Sequence, residues 1–157
     1  MISEELTQVF TGFIGASGFA ILYNIRGKKL LATAFGGFIS WSLFLLLEFL
    51  FVGEPLRYFF VSVIISVYSE IMARLLKTPT TTFIITSLIP LVPGRALYYT
   101  MSNALGGSFE SFLKSATTTL KLALALALGV VVVTAFTNLL KKKNLLKNNL
   151  RKSIKKT

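Results

Sequence analysis

The sequence predicts an all-α integral membrane protein of about five transmembrane helices, the fourth broken at Pro90-Pro93-Gly94, in an N-out/C-in orientation. Three observations carry that reading. Apolar residues make up 54% of the 157 and mean hydropathy is +0.71, more hydrocarbon than one soluble core of this length can bury. They fall into five runs, each close to the roughly 20 residues a helix needs to cross a bilayer. Basic residues cluster at alternate ends of those runs, as they do in loops that stay inside.

The first span is predicted over Leu6–Tyr23. Met1-Ile2-Ser3-Glu4-Glu5 ahead of it lacks the positive region of a signal peptide, so the segment is expected to be retained. Asn24 to Lys29 form a basic turn, and the second span follows over Leu30–Val52. Gly12, Gly15, Ala16 and Gly18 in the first span and Ala32, Gly36 and Ser40 in the second are small residues at packing intervals. Gly53-Glu54-Pro55 is a tight acidic turn, with Arg57 at its edge, leading to a third span over Leu56–Ala73. Arg74 to Pro79, carrying Arg74 and Lys77, separate it from the fourth, Thr81–Ala104. Gly106-Gly107-Ser108 open the next connection, and the fifth span runs roughly Thr118–Leu140. Ser108–Lys121 reads alternatively as an amphipathic surface helix before a shorter fifth span, with the Lys121 stem snorkelling to the outer interface. Residues 1–140 thus form a five-helix transmembrane domain and 141–157 a basic cytoplasmic tail. In that tail Leu146, Leu150 and Ile154 recur every four residues, which fits either an amphipathic helix on the inner leaflet or a disordered tail.

Composition excludes several functions. The chain has no Cys, His or Asp, which removes thiol and imidazole chemistry, disulfides and most metal-ligand sets; it does not read as an enzyme and implies no cofactor. The net charge of +11 suggests nucleic acid at first sight. Eight of the seventeen basic residues, however, lie after Leu140, and the other nine against six acidic residues leave only +3 at segment ends. A juxtamembrane polybasic tail on anionic lipid accounts for that pattern, and no nucleic-acid partner is expected.

The candidate site is the break. Pro90 and Pro93 have no N–H, so the carbonyls of Thr86 and Ile89 lose their helical donors. A half-helix beginning after Gly94 offers unpaired N–H groups and the positive end of a dipole, and Arg95 adds a formal charge. Such a site suits a small carboxylate-bearing substrate, with Tyr98 and Tyr99 within one turn to line it. Broken backbone in lipid persists only where protein or a wet cavity satisfies it, and transporters use such breaks to hold substrates. A second feature is a band on the third span, Ser62, Ser66, Glu70 and Arg74, recurring every four residues on one face. It reads as a polar or proton path, with Glu70 and Arg74 alternatively paired at the cytoplasmic interface. Glu48, near the outer end of the second span, is the other candidate acid, equally consistent with snorkelling.

These residues resemble a known family. Ser69-Glu70 with Ala73-Arg74, Pro79, Ile89-Pro90-Leu91-Val92-Pro93-Gly94 and Tyr98-Tyr99-Thr100-Met101 are similar to the small membrane subunit of the threonine/serine exporter family. Gly18-Phe19-Ala20 with Asn24 fit the same pattern. The resemblance implies a unit like the C-terminal half of longer fused exporters, working with a larger subunit like the N-terminal half, in a bacterial cytoplasmic membrane. It implies export of threonine and serine or, for some two-subunit members, succinate, by alternating access and with proton or sodium coupling possible. Arg95 departs from the small residue usual after Pro-Gly, which implies either selectivity towards anions or a side chain directed to headgroups or a partner. Two other functions fit the same spans: a homo-oligomeric passive channel built on the broken helix, and a non-transporting membrane scaffold.

Overall fold

The computed structural model of the chain describes residues 2–154, with side chains over 4–143. Helix α1 (Ile2–Leu22) ends at Asn24, whose φ of 56° allows a Schellman closure: Ile25 N–H reaches the Ala20 carbonyl at 2.9 Å and Asn24 N–H reaches that of Ile21 at 2.9 Å. Gly27, at φ 64°, then turns the chain into α2 (Lys28–Leu46). Helix α3 (Glu54–Leu75) opens with Glu54 and Pro55 in its first turn, where the missing N–H costs nothing and the carboxylate faces the positive helix end. Lys77, at φ 49°, closes α3 as Asn24 closes α1, with Thr78 N–H on the Ala73 carbonyl at 3.0 Å. Helix α4 (Thr80–Leu88) starts after Pro79. A 3₁₀ turn (Ile89–Leu91), α5 (Gly94–Gly106) and α6 (Phe109–Ile154) follow.

Two boundaries differ from the sequence expectation. The second span stops at Leu46 rather than running to Val52. Glu48, Phe49 and Leu50 instead make bonds three residues back, at 3.1, 3.4 and 3.2 Å, and Phe51 stacks on Phe60 of α3 at 4.9 Å between centroids. The stretch 108–121 is neither a loop nor a separate surface helix, because α6 is continuous from Phe109. Ser108 caps it, its Oγ accepting Ser111 N–H at 3.2 Å, and polar side chains of α5 give its first turns a partner. At 1.5 Å per residue its 46 residues make a rod of about 70 Å. The backbone is helical through the tail, but the stripe of Leu146, Leu150 and Ile154 lies outside the residues whose side chains are described.

Contacts fix the directions of the helices. Gly12 meets Trp41 and Ala16 meets Gly37, so α1 and α2 are antiparallel. Phe44 packs edge-on to Tyr58 at 5.0 Å and Tyr68 Oη donates to the Ala32 carbonyl at 2.7 Å, so α2 and α3 are antiparallel too. Between α3 and α6 the residue numbers rise together: Ser62 lies under Gly129, and Glu70 pairs with Lys141. These two helices are parallel. The chain between them must therefore return to the end where α3 began, so α4 and α5 act as one broken span, and the start of α1 and the end of α6 lie at opposite ends of the bundle. Among the described residues four helices are long and apolar enough to cross a membrane alone, and there are five when the bent α4–α5 pair is taken as one span.

The core follows from that arrangement. Tyr58, Val61, Ile65, Ile84, Leu88, Leu91 and Leu122 form one buried cluster from α3, α4, the 3₁₀ turn and α6. Many large apolar side chains, Phe49, Leu105 and Phe136 among them, stay exposed, as lipid-facing surfaces require.

Candidate functional site

Pro90 and Pro93 break the fourth span in different ways. Pro90 denies the Thr86 carbonyl its helical donor, and the chain tightens into the 3₁₀ turn. Ile89 does not keep a free carbonyl, contrary to the sequence expectation: Val92 N–H takes it at 3.1 Å. Pro93, at φ −73° and ψ 59°, sits at the centre of an inverse γ-turn closed by Gly94 N–H on the Val92 carbonyl at 2.6 Å. Helix α5 then starts with Leu97 N–H on the Pro93 carbonyl at 3.0 Å. The second arm is bent 61° away from the line of the first.

The break lines a partly open cavity of about 810 Å³. Pro90, Pro93, Gly94 and Arg95 form one wall, continued by Lys114 and Thr118 of α6. Trp41, Phe44 and Glu48 of α2 and its following turn, with Glu54, Arg57 and Tyr58 of α3, also line the cavity. The break lies against the middle of α1 and α2, where Pro90 neighbours Gly12 and Gly37, and the cavity opens from it towards the ends of α2 and α3 that carry Glu48, Glu54 and Arg57. The opening accommodates Arg95: its side chain is exposed and its guanidinium lies 5.8 Å from the Tyr99 ring centroid. Tyr99 lines the cavity, whereas Tyr98 is 70% exposed and does not. Thr86 is buried beneath the break, and its hydroxyl is spent on the Thr82 carbonyl at 2.7 Å. Neither Thr86 nor Ile89 reaches the cavity surface.

Arg57 is the residue that sequence reasoning passed over. Its side chain is only 9% exposed, beneath the Phe44 ring at 5.2 Å, and it pairs with Glu48 through a single contact of 3.3 Å. Its Nε is buried without a partner. The cavity wall therefore carries Arg57, Arg95 and Lys114 against Glu48 and Glu54. Both charges are present, as recognition of a small zwitterion or carboxylate requires. Among the described residues no three acidic side chains gather where they could hold a metal ion.

The α3 band lies deeper. Ser62 and Ser66 are fully buried; Ser62 Oγ donates to the Phe59 carbonyl at 2.8 Å, while Ser66, neighbouring Ser69 and Ser87 of α4 keep hydroxyls without partners. At its far end Glu70, 7% exposed, ties three helices together. It takes Lys141 of α6 at 3.1 Å, Thr80 at the start of α4 at 3.3 Å, and Arg74 at 3.4 Å. The Arg74 side chain itself is 60% exposed, so the buried band stops at Glu70. The structure brings Glu48 to the cavity and places Glu70 at the other end of the bundle, with the apolar core between them.

A family model described as threonine/serine exporter, ThrE, matches residues 8–136, from the first span to near the end of the last. No curated protein and no solved structure matches the chain.

Proposed function

Because the chain belongs to the threonine/serine exporter family, we propose that it is the membrane subunit of a small-metabolite exporter, moving threonine and serine or a dicarboxylate such as succinate. The observation that carries this reading is the cavity at the broken span, which offers backbone donors at the start of α5 and side chains of both charges to a carboxylate-bearing solute. Arg95, Gly94, Pro93 and Pro90 hold the substrate on one side. A larger exporter-family subunit completes the assembly, and transport proceeds by alternating access, with a proton or sodium ion as the coupling species.

The orientation is N-out/C-in in a bacterial cytoplasmic membrane. Support comes from the packing: Arg26, Lys28 and Lys29, then Arg74 and Lys77, belong to turns at the end of the bundle where Lys141 meets Glu70, and the tail leaves from that end. In this orientation the cavity faces outward and the Glu70 cluster closes the inner side, while the basic tail lies on anionic lipid.

The test is metabolite efflux from cells expressing the chain with and without the larger subunit, with the medium profiled for threonine, serine and succinate. Efflux that needs both chains is the expected result. Efflux from this chain alone would favour a homo-oligomeric channel, and none under any condition, with both proteins in the membrane, would leave a scaffold.

A further inference from the structure

Among the described residues, the less satisfied of the two buried charges is the Arg57 guanidinium. It has five N–H donors and a side chain nine-tenths buried, yet it makes one 3.3 Å contact with one Glu48 oxygen and leaves Nε without a partner. A charge-assisted pair of good geometry is shorter, about 2.7–2.9 Å, and an arginine–carboxylate pair is commonly bidentate. Buried charge is otherwise paired and fully hydrogen-bonded. Glu48 is a loose counter-ion: it is 59% exposed and stands in the turn beyond α2, so its carboxylate can move without unwinding a helix. Both groups line the 810 Å³ cavity, as do Arg95 and the start of α5.

We propose that Arg57 holds the carboxylate of the transported solute and that Glu48 is its resident competitor. The incoming carboxylate displaces Glu48 from the guanidinium, and the released Glu48 then takes the solute's ammonium group. An α-amino acid satisfies both partners of the opened pair. A dicarboxylate satisfies Arg57 but sets a second anion against Glu48, so the pair selects zwitterions over dicarboxylates. Arg95, exposed and set against Tyr99, makes the weaker, solvent-screened contact to the same solute. This inference rests on the exporter reading and names the substrate contacts within the same cavity.

The test is efflux of threonine and succinate from cells in the configuration that gives wild-type flux, with membrane levels of each variant measured. Arg57→Gln is expected to cut threonine efflux on the order of tenfold or more, and Arg95→Gln by less. Glu48→Gln is expected to shift the threonine-to-succinate ratio towards succinate. The charge-reversed pair, Arg57→Glu with Glu48→Arg, keeps the bond between the α2 turn and α3. It should reach the membrane at wild-type levels yet fail to export. Full export by that reversed pair, or by Arg57→Gln, would reduce the pair to a helix tie and overturn the inference while leaving the exporter reading intact. An unchanged ratio in Glu48→Gln would overturn the selectivity role. Wild-type cells that export neither solute would overturn the exporter reading and this inference together.

Discussion

Gly129 and Gly36 stand where helices approach too closely for a side chain. A Cβ at Gly129 would overlap Ser62 Oγ and sit 2.7 Å from the Phe59 carbonyl oxygen, and one at Gly36 would overlap Ser87 Oγ. Helices in lipid gain nothing from burying hydrocarbon against each other, so close approach and dispersion hold them. Gly129→Ala should therefore cost about 1–3 kcal/mol of stability, whereas Gly15→Ala, with nothing within 4 Å, should be neutral. Unfolding in detergent, followed by circular dichroism, checks both. Gly36 fell within a stripe visible in the sequence; Gly129, alone in a run of Leu, Ala and Val, carried no such pattern. Arg57 was hidden for a similar reason. Placed three residues after Glu54 at a helix start, it reads as an interface residue, and its burial depends on Phe44 and Glu48, which the end of the preceding helix and its turn fold back over it.

Among the elements, the broken span was the most legible, since two prolines and a glycine leave a continuous helix no way through. The local chemistry separates their roles: Pro90 bends the hydrogen-bond ladder, and Pro93 makes the γ-turn from which α5 departs. Pro93→Ala returns a donor and permits the two arms to straighten from 61°. Efflux is expected to fall on the order of tenfold through the altered cavity wall, while stability changes by less than about 1 kcal/mol. Wild-type efflux from that variant would show that the bend is a packing feature. The start of α6 was not legible, because Ser108 to Thr119 look like a connection. The partner is again distant in the chain: Thr100 and Thr119 share a hydroxyl bond of 2.9 Å, and Asn103 Nδ2 donates to Ser115 Oγ at 2.7 Å. That polar seam makes a helix of a segment without an apolar stripe, and α5, which has no buried residue, leans on it.

At the scale of the whole molecule, parallel packing of α3 on α6 requires an odd number of crossings. Reporter fusions after residue 106 are expected on the outside and fusions after residue 143 on the inside. A fusion after residue 106 on the same side as one after residue 77 would make α4–α5 a re-entrant loop and overturn the five-span order. The five apolar runs made the order of the helices readable, whereas the cavity beside the break was not, because α2, α3 and α6 supply much of its lining. One consequence lies in α6 itself. It is a single unbroken rod pressed against α3 at Gly129, with Lys114 on the cavity roughly 22 Å to one side of that contact and Lys141 on Glu70 roughly 18 Å to the other. An unbroken helix carries a displacement along its axis from end to end, so a shift that moves Lys114 along the cavity also moves Lys141 past the acid.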